Sequence, residues 1–71
     1  MRAYQTRAGL TQYMQSIGDI QNADENNEGF CLACGEIQSG VEPDARRYRC
    51  ESCEAHKVYG AAELALMGLV Y

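Results

Sequence analysis

Two short stretches decide the fold of this chain, Cys31-Leu32-Ala33-Cys34-Gly35 and Cys50-Glu51-Ser52-Cys53. Each stretch places two thiols at the two ends of a tight turn, and fifteen residues separate the two pairs. Four thiolates at this spacing are typical ligands of a structural, tetrahedral metal site. We therefore predict that Cys31, Cys34, Cys50 and Cys53 bind one zinc ion, which keeps no open position for a catalytic water.

Other interpretations of these cysteines stay open at the level of sequence. Iron accepts the same four-thiolate set, so the ligands alone do not separate it from zinc. Two pairs of ordinary buried thiols are a second alternative. A redox-active CxxC is a third, although such a pair is expected beside a βαβ unit. His56 follows Cys53 by three residues, but with four cysteines in register we expect it at the surface or hydrogen-bonded to a sulfur.

The composition explains why a metal is needed. Leucine, isoleucine, valine and phenylalanine make up only 12 of the 71 residues, which is below the roughly 20% under which a hydrophobic core becomes doubtful. Structural zinc supplies on the order of 10–16 kcal/mol in small peptides and can replace the missing core. A chain this short is one domain at most. We predict no enzyme and no small-molecule substrate, because no candidate base, nucleophile or open metal position is present.

The chain also carries no targeting signal that we recognise. No run of eighteen apolar residues exists, so no transmembrane helix and no membrane partner are predicted. Arg2 is not followed by the apolar segment of a secretory signal peptide. We expect a cytoplasmic protein, in which thiols stay reduced and available to a metal.

Three segments are predicted along the chain. Residues 1–22 form an N-terminal helical segment, with a helix from about Thr11 to Gln21 that either packs on the rest of the domain or docks on a partner. The apolar residues of its expected face are Leu10, Tyr13, Met14 and Ile17. Residues 23–29 are acidic and rich in turn formers, which predicts a solvated linker. Residues 30–71 form the metal-binding domain.

Within residues 30–71, the pattern predicts short strands at Phe30–Leu32, Arg47–Cys50 and Lys57–Tyr59. A short helix is expected from Ala61 to Met67, ended by Gly68. Leu64 and Met67 lie three apart in this helix and are expected to face the strands. Gly35, directly after the second cysteine, suits a turn position with a positive φ.

The segment Phe30–Cys53 resembles a zinc ribbon, in which two CxxC knuckles flank a β-hairpin. The run GVEPDARRYRC at residues 40–50, together with residues 58–61 and 66–68, is similar to small zinc-ribbon proteins of tailed bacteriophages and prophages. The resemblance covers residues 30–71. It implies a zinc-ribbon fold and a setting in a bacterial cytoplasm. Together with the N-terminal helix and the short C-terminal helix expected from the residue pattern, the predicted fold is a small metal-stabilised α+β domain. The resemblance implies no activity, because that group is largely of unassigned function. Glu54 stands where many ribbons have glycine.

Charge bears on the choice of partner. The net charge is −4, which argues against strong, non-specific binding to polyanions. Four cations are nevertheless candidate nucleic-acid contacts: Arg46, Arg47, Arg49 and Lys57. On a strand, Arg47 and Arg49 would share one face, and Tyr48 could offer a stacking surface. Alternatively, these cations pair with neighbouring carboxylates, which are Glu42, Asp44, Glu51 and Glu54.

The sequence therefore predicts a non-enzymatic interaction module, a phage or prophage accessory or regulatory protein. We expect it to bind a protein partner through its N-terminal helix and the segment Leu64–Tyr71. Nucleic-acid binding through the basic hairpin is the alternative.

Overall fold

The computed structural model describes residues 1–71 and shows a small α+β arrangement of five strands and two helices. The elements in chain order are β1 (Arg2–Gln5), β2 (Thr11–Met14), α1 (Ile17–Glu25), β3 (Glu28–Cys31), β4 (Ile37–Ser39), β5 (Val58–Gly60) and α2 (Ala61–Leu66). Strands β1 and β2 form one antiparallel hairpin, and β4, β3 and β5 form a second antiparallel sheet with β3 in the centre. No helix is long and apolar enough to cross a membrane.

The N-terminal hairpin corrects the predicted helix over Thr11–Gln21. Residues 11–14 are a strand that pairs with β1, and its Tyr13 N–H also donates to the Leu32 carbonyl at 2.9 Å. The expected helical stripe is not a buried face, because Leu10 is 58% exposed and Ile17 is 61% exposed. Hydrogen bonds to residues distant in sequence override the local 3.6-residue pattern here.

Helix α1 begins six residues later than predicted, at Ile17. The Ser16 hydroxyl caps it by accepting a hydrogen bond from the Asp19 N–H at 3.2 Å. Ile20 and Ala23 are its buried residues. Ala23 is completely buried, so the predicted linker over residues 23–29 is wrong: its first three residues belong to α1.

The rest of the predicted linker leads into the central strand. Asn27 turns the chain with a φ of 52°, and β3 begins at Glu28. The buried Gly29 lies so close to the Tyr59 carbonyl and the Val41 side chain that a Cβ would stand 2.5–2.6 Å from them. Glycine is therefore required by a close approach in the sheet and does not mark a flexible connection.

Two of the three strands predicted beyond residue 30 are present with small shifts in their bounds. Phe30 and Cys31 belong to β3, and Val58 and Tyr59 belong to β5. The strand predicted at Arg47–Cys50 is reduced to an isolated bridge between Tyr48 and Val58. Arg47 has a φ of 56°, which lies in the left-handed region and is incompatible with an extended strand.

Helix α2 lies close to its predicted bounds and ends at the predicted glycine. Gly68 has a φ of 74°. Its N–H donates to the Ala65 carbonyl at 3.1 Å, and the Leu69 N–H donates to the Leu64 carbonyl at 3.0 Å. This pair of bonds is a Schellman motif. Leu64 is 1% exposed but Met67 is 40% exposed, so only Leu64 faces the core as expected.

The core consists of two small clusters, one on each side of β3. The first joins the helices to the sheet and contains Ile20, Ala23, Phe30, Leu32, Ala61 and Leu64. The second surrounds the cysteines and contains Cys31, Val41, Ala45, Cys50 and Val58. The C-terminal residues close the structure, because Val70 bridges to Gln15 in parallel and the Tyr71 N–H donates to the Gln15 carbonyl.

Candidate metal centre

The four cysteines lie on two turns that meet beside the central sheet. Cys31 is the last residue of β3, and Cys34 lies on the turn that leads towards β4. Cys50 and Cys53 lie on a second turn between Tyr48 and Val58, the two residues of the isolated bridge. The β3–β5 pairing, in which Cys31 is opposite Val58, brings the two turns together.

The two turns have the same backbone hydrogen bonds at equivalent positions. In the first, the Gly35 N–H donates to the Cys31 carbonyl at 2.8 Å and the Cys31 N–H donates to the Glu36 carbonyl at 3.0 Å. In the second, the Glu54 N–H donates to the Cys50 carbonyl at 2.9 Å and the Cys50 N–H donates to the Ala55 carbonyl at 2.9 Å. The residue after each second cysteine has a positive φ, 81° at Gly35 and 64° at Glu54.

This equivalence confirms the positive φ expected at Gly35. It also shows that Glu54, although not glycine, adopts the left-handed conformation that the turn requires. Left-handed backbone costs a residue with a Cβ roughly 1–2 kcal/mol. The second turn therefore carries a local cost that the first turn avoids.

The four sulfur atoms form a compact cluster. All four lie within 4.8 Å of one another. The distance from Cys31 Sγ to Cys53 Sγ is 3.6 Å, and that from Cys34 Sγ to Cys50 Sγ is also 3.6 Å. Each of these two pairs joins one turn to the other, and none of the cysteines is in a disulfide. The cluster has the size and the donor set to coordinate one metal ion.

The four thiols differ in burial and in pKa, and the pKa determines which of them loses its proton first to bind a metal. Cys31 and Cys50 are buried, Cys34 is half-buried and Cys53 is exposed. Burial raises the pKa of the Cys31 thiol to about 12 and also raises the pKa of Cys34. Hydrogen bonds from the backbone N–H groups of Cys53 and Ser52 lower the pKa of Cys50 to about 7. Cys50 is thus the thiolate most readily formed near neutral pH.

Two glutamine side chains hold the turns in place, and sequence reasoning missed both. The Gln38 side chain, on β4, donates to the Arg49 carbonyl at 3.2 Å and accepts from the Glu51 N–H at 3.0 Å. The Gln15 side chain is 4% exposed and donates to the Gly35 carbonyl at 3.4 Å. A lone glutamine has no sequence signature for this role, since its partners are backbone groups far along the chain.

The remaining candidate residues lie outside the sulfur cluster. His56 is exposed and is not among the four clustered ligands. Arg49 forms an ion pair with Glu54 at 2.6 Å, and Arg46 forms one with Glu63 at 2.9 Å. Of the four carboxylates expected to neutralise the cations, only Glu54 does so.

Arg47 and Arg49 were expected to share one face of a strand, but the chain is not an extended strand at these residues. Arg47 lies at a left-handed position, and Arg49 is already paired. The Tyr48 hydroxyl donates to the Glu42 carboxylate and lowers the pKa of that group. Tyr48 is 39% exposed. Arg47 and Lys57 form no ion pair within 4.0 Å.

Comparisons with known proteins add no relative: no family model, no curated protein and no solved structure matches this chain. The resemblance to phage zinc-ribbon proteins therefore stays a prediction.

Proposed function

We propose that the four cysteines hold one structural zinc ion in a zinc ribbon. The observation that carries this proposal is the spacing of the sulfurs. A zinc ion with four Zn–S bonds of about 2.3 Å requires sulfurs about 3.8 Å apart, the edge of the tetrahedron. Two of the sulfur–sulfur distances are 3.6 Å and all lie within 4.8 Å, so they bracket that value.

The role of the zinc is to stabilise the fold. Four protein ligands fill its coordination sphere, so neither water nor substrate binds to it. The cluster around the cysteines contributes only three further apolar side chains, those of Val41, Ala45 and Val58. Loss of the ion would leave two buried thiols in a cluster too small to fold by itself.

We propose that this scaffold serves a non-enzymatic module that binds another protein. Two features support it. Large apolar side chains are exposed away from the sulfurs, notably Leu66 at 82% and Ile17 at 61%. The net charge of −4 disfavours a nucleic-acid backbone as partner. The resemblance over residues 30–71 supports a setting in the bacterial cytoplasm, as a phage or prophage accessory or regulatory protein.

The nucleic-acid alternative is weakened by the ion pairs. Arg46 and Arg49 each have a carboxylate partner, which leaves Arg47 and Lys57 as the candidate phosphate contacts. Two phosphate contacts give a shallow dependence of affinity on salt and weak binding.

The test has two parts. Native mass spectrometry of the purified protein should show one zinc ion, which is released by a chelator together with loss of dispersed amide signals in the NMR spectrum. Immobilised zinc-loaded protein should then capture a bacterial protein whose recovery is unchanged by nuclease and by the variant Arg47→Gln/Lys57→Gln. An unchanged NMR spectrum after complete metal removal contradicts the structural role. If nuclease abolishes the capture and the protein binds random-sequence DNA or RNA in a titration, the function is nucleic-acid binding.

A further inference from the structure

The largest cleft of the protein lies between helix α1 and the turn that carries Cys31 and Cys34, which we call the first metal turn. Its volume is about 440 Å³, within the range of roughly 300–1,000 Å³ typical of binding clefts. Met1 lines it from the N-terminus, Asp19 and Asn22 from α1, Phe30 from β3, and Glu36 and Ile37 from the segment that leaves the turn. We call this the α1 cleft. It is distinct from the sulfur cluster, although Cys34 and Gly35 form part of its wall.

The α1 cleft combines apolar surface with unpaired negative charge. Ile37 is 50% exposed on its rim, and Phe30 is buried in its lining. Asp19 and Glu36 are both exposed. Neither carboxylate forms an ion pair, since the two ion pairs of the protein use Glu54 and Glu63.

Seven of the eight lining residues lie in an acidic part of the chain, and the eighth, Met1, carries the only cationic group of the lining, its amine. Residues 8–45 contain seven aspartates and glutamates and not one lysine or arginine. The cations lie at residues 2–7 and 46–57. Arg2 is stacked over the Tyr71 ring at 4.7 Å, and the Met1 amine donates to the Tyr71 hydroxyl at 2.7 Å. Two carboxylates beside an apolar lining, in the acidic part of the chain, complement a ligand that is both cationic and apolar.

We propose that the α1 cleft binds a segment of a partner protein in which an apolar side chain is flanked by lysine or arginine. The apolar side chain covers Ile37 and Phe30, and the flanking cations meet Asp19 and Glu36. This inference rests on the proposed protein-binding function, places the contact at the α1 cleft and not at the exposed Leu66 or Ile17, and names the chemistry of the partner. The metal contributes indirectly, because the first metal turn is one wall of the cleft.

A second copy of this chain fits the cleft less well. Its basic segment, residues 46–49, has two of its three arginines paired with glutamates of the same copy. The aromatic residue between them, Tyr48, is bonded to Glu42. Nucleic acid is disfavoured because its phosphates would face the two carboxylates.

The probe is a fluorescein-labelled peptide of about twelve residues in which leucine and lysine alternate, titrated into the zinc-loaded full chain. Two comparison peptides carry serine for leucine or glutamate for lysine. We expect the leucine–lysine peptide to bind most tightly, and the glutamate peptide not to bind. In ¹⁵N-resolved NMR spectra, bound peptide should shift the amides of Asp19, Asn22, Glu36 and Ile37 more than those of residues 50–57.

Matched variants distinguish binding at the cleft from attraction of the peptide by the overall negative charge of the protein. Asp19→Asn/Glu36→Gln should weaken binding about tenfold, as expected for the loss of two charge contacts at a partly exposed site. Glu25→Gln/Glu51→Gln removes the same net charge from exposed positions outside the cleft and should change affinity less than twofold. Ile37→Ser should weaken binding several-fold, whereas Leu66→Ser should not.

Several outcomes would overturn the inference. Equal losses in the two double variants, or equal binding of the serine peptide, would show that diffuse electrostatics and not the cleft attract the probe. Concentration-dependent dimerisation that is abolished by Asp19→Asn/Glu36→Gln would assign the cleft to a second copy. If a bacterial protein is captured by wild type and by Asp19→Asn/Glu36→Gln alike, the inference fails while the protein-binding function stands. If no protein is captured at all, that function fails, and the peptide titration still decides whether the cleft has the proposed chemistry.

Discussion

Glu54 gives the sharpest test of the metal-site geometry, because the first turn has glycine at the equivalent position. The hydrogen bonds of the two turns match, yet one left-handed position is Gly35 and the other is Glu54, at φ of 81° and 64°. We expect Glu54→Gly to be more stable than Glu54→Ala. Both variants lose the ion pair to Arg49, so that contribution cancels between them, and only the backbone conformation differs.

The magnitude follows from two contributions, because the third, the lost ion pair, is common to both variants. Removing the Cβ from a left-handed residue relieves roughly 1–2 kcal/mol. Glycine's greater freedom in the unfolded chain opposes this by roughly 0.5–1 kcal/mol. The ion pair, whose side chains are 64% and 73% exposed, is worth at most about 1 kcal/mol and mostly less. The free energy of unfolding of Glu54→Gly should therefore exceed that of Glu54→Ala by about 1 kcal/mol.

The assay is urea unfolding of the zinc-loaded protein at a fixed free-zinc concentration, since metal binding contributes to the measured stability. A matching change in the first turn is the control. Gly35→Ala should lower the free energy of unfolding by at least the same amount, because its new Cβ has a left-handed φ and also meets the Met1 sulfur. Equal stability of Glu54→Gly and Glu54→Ala would refute the left-handed conformation of the second turn.

Three further predictions concern acid, close packing and the second turn. Without metal, mainly burial raises the pKa of the Cys31 thiol to about 12. We expect a bound metal to keep this sulfur ionised and so to depress its folded-state pKa below the free value of about 8.5. The stabilisation is present at high pH and lost as the pH falls through the depressed value, and native mass spectra along an acid titration should show the ion leaving as the fold is lost. Gly60→Ala should lower the free energy of unfolding by several kcal/mol, because its Cβ would collide with the Glu42 carbonyl. Gly18→Ala, at an open helical position, should raise it by roughly 0.5–1 kcal/mol. Thermal unfolding compares the two variants, and similar melting temperatures would contradict the close packing at residue 60. Gln38→Ala removes two hydrogen bonds to the second turn. In urea unfolding it should lower the free energy of unfolding by about 1–2 kcal/mol while one metal ion is retained. An unchanged urea midpoint would show that the turn does not depend on this side chain.

The features that sequence reasoning predicted correctly are set by local chemistry. The clustering of Cys31, Cys34, Cys50 and Cys53 was predicted from two CxxC pairs at the spacing of a four-thiolate site, because each pair can place both sulfurs on one side of a tight turn. The end of helix α2 follows from Gly68, whose left-handed φ forms the Schellman motif. In both cases, a few neighbouring residues determine the conformation.

The features that sequence reasoning missed depend on contacts between distant residues. The apolar residues from Leu10 to Ile17 have helical spacing, but Thr11–Met14 forms a strand, because its backbone pairs with β1 on one side and reaches Leu32 on the other. Arg47 occupies a left-handed turn that no residue type at that position signals. Gln15 and Gln38 bond to backbone carbonyls and N–H groups that lie eleven to twenty residues away.

The same distant contacts join the N-terminal segment to the metal site. The Tyr13 N–H donates to the carbonyl of Leu32, which lies between Cys31 and Cys34, and the Gln15 side chain donates to Gly35. The Ile17 N–H, at the start of α1, donates to the Tyr71 carbonyl at 2.7 Å. Each of these bonds needs the first metal turn or the C-terminal residues in their folded positions. We therefore expect a metal held by the four cysteines to stabilise more than its own ligands, because the turn with Cys31 and Cys34 also accepts the hydrogen bonds of the N-terminal segment. The α1 cleft has the same turn as one wall, so we expect metal removal to change its shape as well.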